Sequence, residues 1–216
     1  MSPITFKVLK AGLLRIDADT GAVLNVVPLQ YNPDSVSRSF QPKGASGDGD
    51  RGEGLRLTGP PVETITLEAE LDAVDVLESA GKDAEVLSSG LGPQLAVLES
   101  MLYPSSASLR NLDTQAAMGL IEVLPAPQPL TVLVWSRHRV MPVRLTALSV
   151  TEEAFDARLN PIRAKVSLTL RVLTIDDLGF AGRGGSLYLA YQQQKEALAK
   201  LYAGGAIGDL GLDALP

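Results

Sequence analysis

The stretch that most constrains this chain is residues 129–174, PLTVLVWSRHRVMPVRLTALSVTEEAFDARLNPIRAKVSLTLRVLT, which reads as strand almost throughout. Val132, Val134, Val140, Val143, Val150 and Val166 supply the β-branched content that suits a pleated surface. After Asn160-Pro161, apolar Val166, Leu168, Leu170 and Val172 alternate with Lys165, Ser167, Thr169 and Arg171. Period two of this kind buries one face of a strand and wets the other. The preceding run, residues 144–151, is also β-rich, and residues 155–161, with Asp156, Asn160 and Pro161, have the composition of a turn. A long antiparallel hairpin is therefore expected here.

A second alternating run lies upstream. In residues 62–72, Ile65, Leu67, Ala69 and Leu71 fall on one face and Thr64, Thr66, Glu68, Glu70 and Asp72 on the other. The carboxylates are expected to stand hydrated on a solvent face. Nothing around them supplies the cleft or the contrasting environments that acid/base chemistry by paired carboxylates requires. Two further strands are expected at residues 4–10 and 22–31, separated by the polar turn Asp17-Ala18-Asp19-Thr20-Gly21. Asn32-Pro33 then breaks the chain, since proline has no N–H to give to a ladder.

Helix signals are sparser. Leu91, Leu95, Leu98 and Leu102 recur every three or four residues, with Pro93 in the first turn and Pro104 after the last, which predicts a packed helix over 92–103. Residues 73–90 read as irregular or partly helical. Residues 105–128 read as a linker, with Ser105, Ser106 and Ser108 at one end and Pro125, Pro127 and Pro129 at the other. Residues 43–59, KGASGDGDRGEGLRLTG, are too rich in glycine and charge to order alone and are expected to lie against a partner. After Thr174 the glycines at 179, 182, 184 and 185 suggest a hinge, Ser186 a cap, and residues 187–203 an amphipathic helix with Leu187, Tyr191, Leu198, Leu201 and Tyr202 on one side. That helix is expected to pack outside the β domain, followed by a flexible tail. The division is thus a β domain over 1–176 and a hinge, helix and tail over 177–216.

Chemistry-bearing residues are few. There is no cysteine, which excludes disulfides and thiolate metal sites. His138 is the sole histidine, in the basic turn Arg137-His138-Arg139, and no G-x-S-x-G element accompanies it. The fragment Asp48-Gly49-Asp50 lacks the later ligands of a calcium loop, and Gly184-Gly185 lacks the Lys-Ser/Thr ending of a phosphate loop. No catalytic, cofactor-binding or metal-binding residue is therefore assigned, and no cofactor is expected. A net charge of −6 gives no global field for nucleic acid. Neither an export signal nor an apolar membrane span is expected, and the cytoplasm is the expected compartment.

Two segments carry a family resemblance. The order of Trp135, a short basic turn, and TALSVTEEAFDARLNPIRAKVSLTLRV resembles the tube proteins of contractile injection systems, with phage tail tube and baseplate-hub adaptor proteins as relatives. Leu29-Gln30-Tyr31-Asn32-Pro33-Asp34-Ser35 resembles the strand of that family that ends in an aromatic-Asn-Pro turn. The resemblance implies a mainly β (α+β) antiparallel barrel or sandwich with one packed helix and a C-terminal helical tail. It further implies a non-enzymatic homohexameric ring in contact with tube and spike or hub proteins, within an assembled particle. The last forty residues are too short and glycine-rich for the LysM module that many longer members carry. A competing reading is a small-ligand or carbohydrate-binding β-barrel with a pocket lined by the apolar faces of the Ile65 and Val166 strands. A third, esterase-like reading would have to use His138.

Overall fold

The computed structural model describes residues 9–44, 56–74, 89–118 and 127–211. Most of the expected strand at 4–10, of the glycine-rich loop at 43–59 and of the excursion at 73–90 falls outside these residues, as do residues 119–126 and the last five of the tail. Seven strands form a single sheet: β1 Gly12–Ile16, β2 Val23–Pro28, β3 Val36–Gly44, β4 Leu57–Asp72, β5 Leu130–Ser136, β6 Arg139–Phe155 and β7 Pro161–Val172. Their order is β2-β1-β5-β6-β7-β4-β3, and every neighbouring pair is antiparallel. The chain is thus mainly β, with a few helices added.

The expected hairpin is β6–β7, paired from Val143↔Val172 to Phe155↔Pro161. Alternation places Ala164, Val166, Leu168, Leu170 and Val172 at no more than 2% exposure on one face of β7. β4 pairs along the other side of β7 and turns Ile65, Leu67, Ala69 and Leu71 to the same core. The turn closing β6–β7 is fixed by one carboxylate. Asp156 Oδ1 accepts from the Arg158 and Asn160 backbone N–H groups, its Oδ2 accepts from Asn160 Nδ2, and Leu159 takes a left-handed φ of 65°. The Asn160 side-chain bond, followed by its backbone bond, holds the Asp156 carboxyl below the ordinary 3.8.

β3 went unread in the sequence because VSRSFQPKG alternates weakly and contains Pro42. Pro42 sits where the β3–β4 register shifts between Gln41 and Lys43, on an outermost strand that can spare a donor. The supposed loop 43–59 is accordingly shorter: Lys43 and Gly44 end β3, and Leu57 already begins β4. The first strand among the described residues is Gly12–Ile16, and the expected strand at 4–10 lies mostly outside them. Between β2 and β3 the Asn32 amide accepts from the Ala11 N–H and donates to the Leu9 carbonyl, while Gln30 bridges the backbone N–H and C=O of Asp72. Asn32-Pro33 is therefore a structural turn tying the start of β1 to the β2–β3 crossing.

Among the described residues four α-helices accompany the sheet. α1, Gly92–Glu99, packs Leu95 and Leu98 into the core with Leu91 before it, as the leucine spacing predicts, although Leu102 stands 39% exposed beyond its end. α2, Ser106–Ala117, corrects the expected linker: Ser105 caps it by accepting from the Ser108 N–H, and none of its residues is buried. α3, Ile175–Leu178, is held by a capping box between Thr174 and Asp177.

The largest correction concerns α4, Arg183–Lys200, which starts three residues before the expected cap at Ser186. Of the glycines read as a hinge, Gly184 and Gly185 lie in its first turn, Gly182 is its N-cap and Gly179 ends α3. A Cβ on Gly185 would overlap the Gly179 carbonyl oxygen, and one on Gly184 would press on Leu178 and Leu130. These glycines therefore permit close packing of the helix start. α4 does not lie outside the β domain either. Tyr188 and Tyr191 are buried in the main core, whereas Leu187 faces a second cluster of Ile16, Leu130 and Val132 on the other face of β1 and β5. The helical stripe was assigned by spacing alone, so it gave equal weight to Leu198 and Leu201, which are 47% and 79% exposed.

Two measurements check this account. Tyr191→Ala should cost about 3–5 kcal/mol in urea unfolding, as for other buried aromatics, while Leu201→Ala should stay within about 0.5 kcal/mol. Because the folded Asp156 pKa is depressed, its stabilising effect is complete above pH 3.8 and is lost as pH falls through the folded value. The melting temperature of Asp156→Ala should therefore fall less steeply below that pH than that of the parent protein.

Candidate functional site

Period two extends the apolar face of β4 one step beyond Ile65, to Glu63, and so places a carboxylate on the core side of the sheet. Glu63 is 2% exposed. Its partners come from three elements. Arg38 of β3 donates to Oε1 through Nε at 3.0 Å and Nη2 at 2.6 Å; the Tyr191 hydroxyl of α4 donates to the same oxygen at 2.9 Å; and Lys195 Nζ stands 3.3 Å from Oε2. Arg38 Nη2 also donates to the Tyr191 hydroxyl oxygen at 2.7 Å. Phe40 forms the outer wall, with the Arg38 guanidinium 4.9 Å from its ring centre and Lys195 at 5.7 Å. Lys195 also lies 4.2 Å from the Tyr191 ring centre.

Electrostatics follow from this geometry. Burial, then the Glu63 carboxylate, push the Tyr191 hydroxyl well above the ordinary tyrosine range, so it remains a neutral donor. Burial opposes the charge on Arg38, but hydrogen bonding and attraction to Glu63 outweigh it and raise its affinity for the proton. The Glu63 carboxylate is buried and paired with two cations and a neutral phenol. The cluster acts as a lock of α4 onto the β3–β4 pair.

The opposite, polar face of β4, β7 and β6 carries an open groove of about 820 Å³. Residues 31–35 form one wall, and its floor includes Glu68, Glu70, Ser149, Thr151, Lys165 and Ser167. Cross-strand rows explain the composition: Glu68 pairs with Ser167 and Ser167 with Ser149, while Glu70 pairs with Lys165 and Lys165 with Thr151. Lys165 is held by Glu153 at 2.8 Å; hydrogen bonding to Glu153, then its charge, raise the lysine pKa. Next to the groove, Asp72 pairs with Arg163 at 2.9 Å. A backbone bond from Val74, then Arg163, hold the Asp72 carboxyl below 3.8.

The structure separates the residues that sequence analysis weighed for chemistry. Arg137 and His138 form the exposed turn between β5 and β6, and His138 does not line the polar groove. Ile65 and Val166 are 1% and 2% exposed and fill the core, with Val166 reaching only the floor of the polar groove. Glu63 was the residue to find. Its signal was an acid in phase with Ile65, Leu67, Ala69 and Leu71, but its partners Arg38 and Tyr191 lie 25 and 128 residues away. Among the described residues no group of three or more His, Cys, Asp or Glu could hold a metal, and no helix is long and apolar enough to cross a membrane.

A scan against models of protein families finds no match, and no curated protein is significantly similar to this chain.

The lock predicts a double-mutant signature. Glu63→Ala, which leaves Arg38 and Lys195 facing each other without an anion, should cost about 3–5 kcal/mol. Arg38→Met combined with Glu63→Leu should cost clearly less than the sum of the two single changes in the same urea assay, since both charges are then removed together.

Proposed function

We propose that this protein is a non-enzymatic assembly component of a contractile injection particle, a tube-like subunit that forms a homohexameric ring joining the inner tube to the spike or baseplate hub. The observation that carries the reading is the sheet's two outermost strands, β2 and β3, each bonded among the described residues to one neighbouring strand. An unpaired strand edge is a template for another strand, and natural monomers blunt such edges with charge, shortness or cover. Here β2 carries exposed Val23, Leu24 and Val26 at 58%, 50% and 59%, and β3 carries Phe40 at 46%. The apolar exposure of β2 suits pairing between copies, whereas Pro42, Lys43 and the register shift blunt the far part of β3. Since β2 and β3 are different surfaces at opposite ends of the sheet order, their pairing would be head-to-tail, the kind of contact that closes into a ring. The ordered pattern of Trp135, the basic turn and the β6–β7 hairpin supports the same family, as does the Tyr31-Asn32-Pro33 turn, and the step from that pattern to function is analogy.

Mass photometry of the purified protein tests the reading. A discrete multimer is expected, sixfold on the family resemblance, and a monomer at all concentrations would overturn it. Leu24→Lys with Val26→Lys should shift the multimer to monomer while leaving the far-ultraviolet circular dichroism and the melting temperature nearly unchanged, because both side chains are exposed and the charges act at the edge.

A further inference from the structure

The outermost strand β3 is held by more than its ladder to β4. Val36 packs against the main core at its start, and beyond it three side chains reach the C-terminal helices. The Arg38 guanidinium donates to Glu63 Oε1 and, through the same Nη2, to the Tyr191 hydroxyl of α4. Phe40, two residues on and so on the same face, has Lys195 of α4 at 5.7 Å from its ring centre. Lys43 pairs with Asp176 of α3 at 2.7 Å. That last pair is exposed and contributes little by itself, whereas the Arg38 bonds are charge-assisted and made to a buried carboxylate. The ladder is also least regular over this stretch, since Pro42 has no N–H to donate and the register shifts between Gln41 and Lys43.

The same contacts end the firm attachment of α4. Its start is fixed where Gly184 and Gly185 close on Leu178, Leu130 and the Gly179 carbonyl, and by Tyr188 in the core. Tyr191 and Lys195 follow, and past them Leu198 and Leu201 are 47% and 79% exposed. A helix end carries carbonyls without helical partners and opens more readily than the helix body. If α4 opened alone, Glu63 would lose Tyr191 and Lys195; if β3 peeled away alone, Glu63 and the Tyr191 hydroxyl would both lose Arg38. Either way a buried polar group is left short of partners, which penalises opening of one element without the other. We infer that β3 from Arg38 to Lys43 and α4 from Tyr191 to Lys200 open and close as one unit, so that the C-terminal helix is a strap whose release frees the edge strand. The coupling belongs to the single chain and does not depend on association of copies.

Hydrogen–deuterium exchange of backbone amides on the full chain tests the strap, read in residues 36–44 of β3, 191–200 of α4 and, for reference, 164–172 of β7. The Leu24→Lys, Val26→Lys background is used throughout, so that pairing between copies adds no protection to β3 and the outcome stands apart from the ring reading. Tyr191→Phe removes one hydroxyl and keeps the buried ring. Exchange in β3 should accelerate at least roughly tenfold, the size expected for losing a hydrogen bond to a charged group. Arg38→Lys keeps a cation beside Glu63 but loses the fork that reaches both partners, and should accelerate residues 191–200 to a similar extent, because the coupling is reciprocal. Phe40→Ala, at a ring 46% exposed and so mild for folding, should also accelerate residues 191–200. Residues 164–172 should keep the parent's protection in all three variants. Acceleration confined to the element that carries the substitution would overturn the strap. Equal acceleration in β7 would overturn it as well, since the whole domain would then be opening and no separate unit would exist.

Discussion

Pairing of β7 on both sides is the constraint from which the rest of this structure follows. β7 is bonded along its length to β6 and to β4, and its inward residues Ala164, Val166, Leu168, Leu170 and Val172 are the best-buried run in the chain. A strand flanked on both sides satisfies its backbone groups without water, so its register is fixed by the burial of one face and cannot slip by one residue without exposing that whole face. Everything else is placed relative to it. β4 brings Glu63 to the core side and Glu68 and Glu70 to the wet side; β6 carries the basic turn at its start and the groove hydroxyls of Ser149 and Thr151 toward its end.

Two very different uses of charge result. On the core side, Glu63, Arg38, Tyr191 and Lys195 form a closed set in which each polar group answers another, and it joins edge strand, inner strand and last helix. Such a set contributes less net stability than its short distances suggest, because desolvation of the ions opposes it, but breaking it leaves a buried charge without a partner. Its consequence is specificity of placement for α4. On the wet side, charges are hydrated and individually weak, and their arrangement matters through the field of the whole face and not through any one pair. The proposed assembly function draws on the outermost strands β2 and β3, and leaves the buried charges to hold the subunit together.

The helices show how far tertiary context reassigns local signals. α1 was legible because four leucines at helical spacing needed a core to meet. α2 was not, since Ser105 and its neighbours resemble a linker and no apolar stripe betrays the helix; only its cap does. The glycines at 184 and 185 looked like a hinge because glycine is flexible in isolation, but in the fold they are the places where α4 approaches α3 and β5 too closely for any side chain. A residue without a Cβ serves motion or contact equally well, and the sequence does not say which.

Period-two alternation over β4 and β7, the leucine spacing of α1 and the Asp156–Asn160 turn determined the mainly β character, the long hairpin and the composition of each face from sequence alone, because these depend on residues close together in the chain. Strand order, which strands stand outermost, the docking of α4 and the Glu63 cluster were decided only in three dimensions. They rest on pairs such as Arg38 with Tyr191, 153 residues apart, whose meeting depends on how the sheet is threaded. Local patterns record which face of a strand is dry; which distant side chain arrives there is set by packing, and a single sequence holds no direct trace of it.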